Sequence, residues 1–477
     1  MTFMSQTKQI YQNTLVQLVG KIISTVLGLA VVAIMTRSLG VEKFGWYATA
    51  TGFLQFIGIF CDFGFTVVSA NMLSRPDFDK KSLFNNLFTL RLISALLFQG
   101  ILPFTIFFFP YPFEIKLAVL ITAISFINVS INQIFIASLQ TQLKMHLQSI
   151  GEIIGRIILV IGALLIAKNS FGFLPMMAVI TVSSCFYTGY LWYKNEKFKL
   201  EIDKQISKAI FIQLWPTALA VIFNAIYLQG DRVILPLYVS QTDVSFYGAA
   251  YRVLDIIIQV SSMIMGIMTP LLAFTWSRQI MSDFKKNAQL AFDLLMTLLI
   301  PMVFGAFVLA EPIMRFVAGA DFVGAGKILQ ILIISIFGVC FGMVFGHLTL
   351  AINKQRQVFW VYLSDALLSL IGYFIFIPKF GMFGAAYVTI FSEFYAGAFL
   401  LFLAYRYSGF FPKLFTFLKI LFLSLLMSIL VYNLRNEHVL ILISLAGLFY
   451  TLGAITLKIF SRDSLLQLIP FNKLNKN

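Results

Sequence analysis

The sequence predicts an all-α polytopic membrane protein of about fourteen transmembrane helices, built as two related halves. Three observations predict it. The 477 residues are 60% hydrophobic and only 12% charged, with a mean hydropathy of +0.90. Long apolar runs succeed one another along the chain, and a charged strap interrupts them near the middle. A soluble protein carries about 25% charged residues, so this composition leaves no way to build a soluble surface.

Crossing the hydrocarbon core takes about 20 apolar residues in a helix. Reading apolar runs between charged or Pro/Gly-rich breaks places spans near 12–36, 44–70, 83–109, 117–139, 150–167, 173–193 and 210–236. They continue near 247–273, 288–311, 327–351, 358–377, 383–404, 415–433 and 439–458. The run at 150–167 is the shortest of the first half. Met1–Tyr11 is polar and the apolar segment after it is long enough to span, so it is expected to be retained rather than cleaved.

The strap is Lys194–Lys208, with lysines at 194, 197, 199, 204 and 208 and acids at 196, 201 and 203. On either side of it the chain says something similar twice. Gly45-Trp-Tyr-Ala-Thr-Ala50 and Ser245-Phe-Tyr-Gly-Ala-Ala250 are offset by 200 positions, each following the first long apolar segment of its half. Two hydrophobic halves joined by a charged linker are the mark of an internally duplicated transporter.

The net charge of +15 does not point to nucleic acid, because of where the charges sit. With fourteen spans, one set of loops and tails, including the strap, holds 21 lysines and arginines and the other set holds 8. Lys and Arg accumulate in cytoplasmic loops, so both termini and the strap are expected in the cytoplasm. The outward loops are short, and none is large enough to carry an extracytoplasmic catalytic domain. Cys61, Cys185 and Cys340 are isolated thiols, and His146, His347 and His438 are scattered, so no metal or disulfide framework is expected.

Charges inside spans normally face a polar interior, since each costs about 2.5–3.5 kcal/mol at a helix centre. In the first span Gln17, Lys21, Ser24 and Gly28 fall on one helical face. The alternative for Lys21 is snorkelling to the cytoplasmic interface, but the polar stripe continues past it. In the eighth span Arg252, Asp255, Gln259 and Ser262 share a face, and Arg252 and Asp255 are spaced to neutralise each other. Glu152 and Arg156 have i, i+4 spacing beside Gly151 and Gly155, which reads first as an ion pair at a close helix contact. Arg91 with Ser94, and Ser125, Asn128 and Asn132, add polar groups to the third and fourth spans, and Asp231-Arg232 stands towards the outer end of the seventh. Asp62, Asp293, Asp365 and Glu393 are further acids in spans, each by itself better read as structural. Lys21, Arg91 and Arg156 outnumber Asp62 and Glu152 in the first half, and a basic interior suits an anionic cargo such as phosphate or pyrophosphate.

Thr36-Arg-Ser-Leu-Gly-Val-Glu-Lys-Phe-Gly-Trp-Tyr-Ala48 followed by Cys61-Asp-Phe-Gly64 resembles the opening of Wzx-type polysaccharide flippases. So do Asp231-Arg232 with Phe246-Tyr-Gly-Ala-Ala-Tyr-Arg252, and Pro378-Lys-Phe-Gly-Met-Phe-Gly-Ala-Ala386. Together these motifs cover nearly the whole chain in order. The resemblance implies the multidrug/oligosaccharidyl-lipid/polysaccharide exporter superfamily, with two pseudo-symmetric six-helix lobes around a central cavity and two further C-terminal helices. On this chain that gives an N-terminal lobe at 1–193, a linker at 194–209, a C-terminal lobe at 210–404, and two extra helices with a cytoplasmic tail at 405–477. The implied function is translocation of undecaprenyl-pyrophosphate-linked oligosaccharide across the bacterial cytoplasmic membrane, without catalysis and without a cofactor.

Lys21, Arg91 and Arg252 are then the candidates for the pyrophosphate, and Gln17, Asn128 and Gln259 are candidates for head or sugar contacts. Asp62, Glu152 and Asp255 are the candidates for coupling to protons or sodium. The implied partners are the lipid-linked oligosaccharide, membrane lipid, a polysaccharide polymerase and a chain-length regulator. The competing readings are a drug or cation antiporter of the same fold, whose site should be dominated by acids, and a lipid II flippase.

Overall fold

The computed structural model describes residues 3–73, 78–195 and 197–459, and of residues 3–15, 18, 67, 216, 217 and 220 the backbone only. Arg75, Glu196, Lys458's successors Arg462, Lys473 and Lys476, and the rest of the tail expected after 459 lie outside the described residues, as does the side chain of Lys8. The regular structure of the described residues is helical, and eleven helical segments are long and apolar enough to cross a bilayer.

Two helices carry two expected spans each. α1 (Phe3–Asp62) runs for 60 residues and α13 (Gln355–Ser408) for 54. At about 1.5 Å per residue both are far longer than a bilayer is thick, and both break at a glycine. Gly40 has φ 73° and ψ 178°, and Gly381 has φ 57° and ψ −136°. These conformations suit a residue without Cβ, so the chain turns there without leaving a loop. α7 (Lys204–Tyr238) covers the expected seventh span.

Other spans are broken where the sequence suggested continuity. The second ends at Asp62, and Phe63 (φ 42°) and Gly64 (φ 82°) lead into α2 (Phe65–Leu73). The third is α3 (Lys80–Ala95), which passes into a π turn at Leu96–Ile101 and a 3-10 turn at Leu102–Phe108. Pro103 has no N–H to continue the α-helical ladder there. α4 (Phe113–Thr141) follows. The short apolar run at 150–167 proves to lie inside α5 (Met145–Lys168), a full-length crossing of 24 residues. α6 (Phe173–Lys194) leads into the strap.

The protein divides into two compact units, Met1–Gly248 with Val317–Asp321, and Ala249–Phe316 with Phe322–Asn477. The first takes in α7 and the start of α8 (Gln241–Ser277). In this unit the second half of α1 presents Gly45, Ala48, Thr49, Gly52 and Gln55 to α7 and α8. A Cβ at Gly45 would fall 2.0 Å from the Gln241 carbonyl oxygen, and one at Gly52 3.0 Å from that of Arg232. Thr49 Oγ1 donates to Gln241 Oε1 at 2.8 Å and Arg232 Nη1 to Gln55 Oε1 at 3.3 Å. The two repeated hexamers meet here, for a Cβ at Gly248 would stand 3.0 Å from that of Ala48. Small residues let helix backbones approach closely in lipid, where packing and hydrogen bonds replace the hydrophobic drive.

The strap is part of this packing. Residues 197–203 run extended along α3, and the backbone N–H groups of Lys199, Glu201 and Asp203 donate to Asn85 Oδ1, Thr89 Oγ1 and Asn86 Oδ1. Glu201 in turn accepts from Asn85 Nδ2 and Ser82 Oγ, both at 2.8 Å. Those hydrogen bonds, Asn85's first, hold its carboxyl below the usual carboxylate range. Phe198 packs among Phe88, Phe135, Trp192 and Phe84. The linker is thus anchored along its length.

The second unit contains α9 (Met281–Val308), α10 (Ala310–Ala318) to Phe316, α11 (Ala325–Leu332) and α12 (Ser335–Ala351). It also holds α13, α14 (Phe415–Asn433) and α15 (Val439–Thr456). α12 and α13 cross so closely that a Cβ at Gly338 would lie 2.4 Å from the Glu393 carbonyl carbon. The two C-terminal helices pack on α9, where Tyr450 Oη donates to the Thr297 carbonyl at 2.9 Å.

Candidate functional site

The polar face of α1 meets α5. Its apolar neighbours Val19, Ile22, Ile23 and Val26 are exposed, whereas Ser24 is buried, so burial here follows the polar stripe and inverts the pattern of a soluble helix. Glu152 of α5 reaches this face. Its Oε1 accepts from Ser24 Oγ at 2.6 Å and stands 3.5 Å from Lys21 Nζ. Arg156, one turn further along α5, donates from Nε to Ser24 Oγ at 3.3 Å, and its Nη1 lies 3.7 Å from where a Gly28 Cβ would be. Gln17 is half-buried one turn before Lys21.

The local i, i+4 spacing of Glu152 and Arg156 therefore matters less than their cross-helix partners on α1. Gly151 and Gly155 do sit at the expected close contact, against Tyr187 and Tyr190 of α6. The cluster holds two cations, Lys21 and Arg156, against one carboxylate. The Lys21 side chain is 37% exposed and that of Glu152 20%, so both remain reachable by a ligand.

Arg91 has another role. It is 3% exposed, and four of its N–H donors are engaged. Nε donates to the Ser130 carbonyl of α4, and Nη1 donates to the Cys61 and Asp62 carbonyls at the end of α1. Nη2 pairs with Asp62 Oδ1 at 3.0 Å. Helix ends leave carbonyls without intrahelical donors and carry partial negative charge, and a guanidinium there answers both. Ser94 Oγ adds a donor to the Cys61 carbonyl at 2.8 Å, and Thr66 Oγ1 donates to Asp62 Oδ1. The expectation that Arg91 grips cargo and that Asp62 handles ions meets this geometry poorly, because each is already the other's partner in a clamp joining α1, α3 and α4.

The remaining expected residues are dispersed. Asn128 of α4 donates to Ser184 Oγ and Cys185 Sγ of α6 at 3.0 and 3.3 Å. Arg252 and Asp255 belong to the second unit, with Nη1 and Oδ2 3.9 Å apart and both side chains 29% exposed. That is a loose pair. Gln259 is exposed one turn beyond Asp255. Asp231 is fully buried and accepts from Tyr247 Oη at 2.6 Å. Sequence reading missed Ser130, Thr66, Tyr247 and the Ser82, Asn85, Asn86 and Thr89 row that receives the strap. Among the described residues no three His, Cys, Asp or Glu side chains converge as a metal site.

Residues 10–276, more than half the chain, match the family described as Polysaccharide biosynthesis protein. Among curated proteins the chain is 29% identical over 195 residues to the succinoglycan biosynthesis transport protein ExoT of Rhizobium meliloti (strain 1021). That alignment takes in 39% of this chain and 37% of ExoT. Among solved structures it is similar to the lipid II flippase MurJ in an inward closed conformation, with TM-score 0.77, 19% identity and coverage of 94% of this chain and 99% of that one. It is also similar to an inward-facing MATE family multidrug resistance transporter of the MOP superfamily, with TM-score 0.68, 13% identity and coverage of 81% and 95%. A MOP superfamily transporter from Pyrococcus furiosus, described as having a binding pocket of reverse polarity, gives TM-score 0.60 at 12% identity, covering 84% and 96%. The chain is a multi-pass membrane protein with the fold of these transporters, and it belongs to the polysaccharide biosynthesis protein family.

Proposed function

We propose that the chain is a flippase that carries undecaprenyl-pyrophosphate-linked oligosaccharide units across the bacterial cytoplasmic membrane for surface polysaccharide assembly. The observation that carries the reading is the cationic cluster of Lys21 and Arg156 against Glu152, set in a family of polysaccharide biosynthesis proteins. A pyrophosphate head is a compact polyanion, and lysine and arginine bind such groups through charge-assisted hydrogen bonds. An antiporter for cationic drugs would place acids where these cations stand.

In this reading Lys21 is the head-binding cation of the first unit, with Gln17 and Asn128 available to polar groups of the cargo, and Arg252 and Gln259 are the corresponding candidates of the second. Arg91 acts through the scaffold. Protons or sodium drive the cycle through Glu152 or Asp255, and a polymerase and a chain-length regulator use the delivered units. No step calls for catalysis by this chain. MurJ, whose fold the chain shares, is a lipid II flippase, so lipid II belongs in the assay as a second substrate.

The test is reconstitution in liposomes with a lipid-linked oligosaccharide, scoring how much becomes accessible on the opposite leaflet. Flipping should fall in the order parent, Lys21→Arg, Lys21→Gln, because arginine keeps the charge and can still grip phosphate as a planar fork. Equal flipping by Lys21→Gln would remove the head-binding role. Orientation is checked separately. The lysine excess on one side supports a cytoplasmic strap, so an impermeant thiol reagent added to intact cells should leave Lys199→Cys unlabelled. Labelling from outside would reverse the topology.

A further inference from the structure

Two groups, Lys21 Nζ and Ser24 Oγ, converge on one point between α1 and α5, and the point is filled by an oxygen of Glu152. The Arg156 guanidinium stands behind them, donating to Ser24 Oγ. This is the donor set a phosphoryl oxygen would need, occupied by a carboxylate of the protein. The groups facing Glu152 are Lys21 and Ser24 of α1, Arg156 of its own helix and the Tyr187 phenol of α6.

Taking an ion pair fully out of water costs desolvation that can exceed its attraction, and here both ends of the pair are partly exposed. An anion that reaches this exposed edge can therefore compete for Lys21 without unfolding the contact. We infer that Glu152 is a resident competitor of the cargo's pyrophosphate, which occupies the cationic cluster between cycles and must be displaced when the head binds. Rebinding of Glu152 to Lys21 then helps expel the head on the far side. The inference rests on the reading that Lys21 binds the anionic head. Its consequence is a trade, with weaker binding and faster release than the cations alone would give.

The experiment uses the full purified chain and farnesyl pyrophosphate as the probe, measuring its dissociation constant together with flipping turnover in liposomes. Glu152→Gln should bind the probe about tenfold more tightly, a coupling of ordinary size, and turn over more slowly. Glu152→Asp keeps the competing charge and should bind close to the parent. In the double variant Lys21→Gln/Glu152→Gln the gain in affinity should vanish, because there is no contested cation. Unchanged or weaker probe binding by Glu152→Gln, in protein that still elutes as a single species, overturns the inference and leaves Glu152 as a group that positions Lys21. Unchanged binding by Lys21→Gln alone would instead overturn the underlying head-binding reading, so the two failures are told apart by different variants.

Discussion

Arg91→Gln should remove most of the folded protein from the membrane fraction and from detergent extracts. The substitution takes away the partner of Asp62 Oδ1 and the donors to the Cys61, Asp62 and Ser130 carbonyls in one step. Breaking a buried pair by deleting one member costs about 3–5 kcal/mol, and unanswered carbonyls in a lipid-surrounded bundle add to that. Against a total stability of about 5–15 kcal/mol the loss is large. Arg91→Lys keeps a positive charge but cannot reach three carbonyls and a carboxylate with one ammonium, so it should fall between parent and Gln. Asp62→Asn leaves Arg91 its carbonyl partners and should be the mildest of the three. The measurement is the fraction of monodisperse protein on size-exclusion chromatography and its thermal midpoint in detergent. Arg91→Gln protein with parental yield and midpoint but no transport would overturn the clamp and return Arg91 to the cargo site.

The contrast between Arg91 and Lys21 shows how far the sequence could be read. Both are basic residues in apolar runs, and charge patterning treats them alike. What separates them is whether polar partners are supplied by distant segments, and the partners of Arg91 lie 29, 30 and 39 positions away with no periodic signature. The stripe Gln17, Lys21, Ser24 and Gly28 was legible because it follows the period of one helix. Its true partner was not, because Glu152 offered a ready local mate in Arg156 and its contact with Ser24 spans 128 positions.

Helical class and membrane character followed from composition alone. The sequence also separates spans on either side of Gly40 and Gly381, where the helical run turns. The breaks inside expected spans, at Phe63-Gly64 and from Leu96, did not follow from it. The strap read as a charged cytoplasmic linker. Its anchorage depends on backbone N–H groups meeting Asn and Thr side chains of α3, and backbone donors leave no trace in a sequence.

Lys21→Glu should give the largest loss of transport of any single change at the cluster. The native pair brings opposite charges within 3.5 Å. The substitution sets two carboxylates facing each other across Ser24, with Arg156 as the neighbouring cation. Unit charges at 4 Å interact by about 1 kcal/mol in water and about 4 kcal/mol near a protein surface, and the partial exposure of both groups keeps the value towards the lower end. The change turns that attraction into repulsion, for Glu152 and for an incoming pyrophosphate alike. Since about 1.4 kcal/mol is a factor of ten, flipping should drop by at least tenfold. The swap Lys21→Glu/Glu152→Lys restores an opposite-charge pair and the cluster's net charge, but it moves the cation from α1 to α5 beside Arg156. Protein yield should return to the parental level and flipping should recover only in part, because the anion's grip has shifted from one helix to the other. Full recovery of flipping by the swap would mean that the net charge of the cluster alone matters. If Lys21→Glu by itself flips the oligosaccharide as well as the parent does, cationic recognition of the head is wrong, and an antiporter on the same fold becomes the better account.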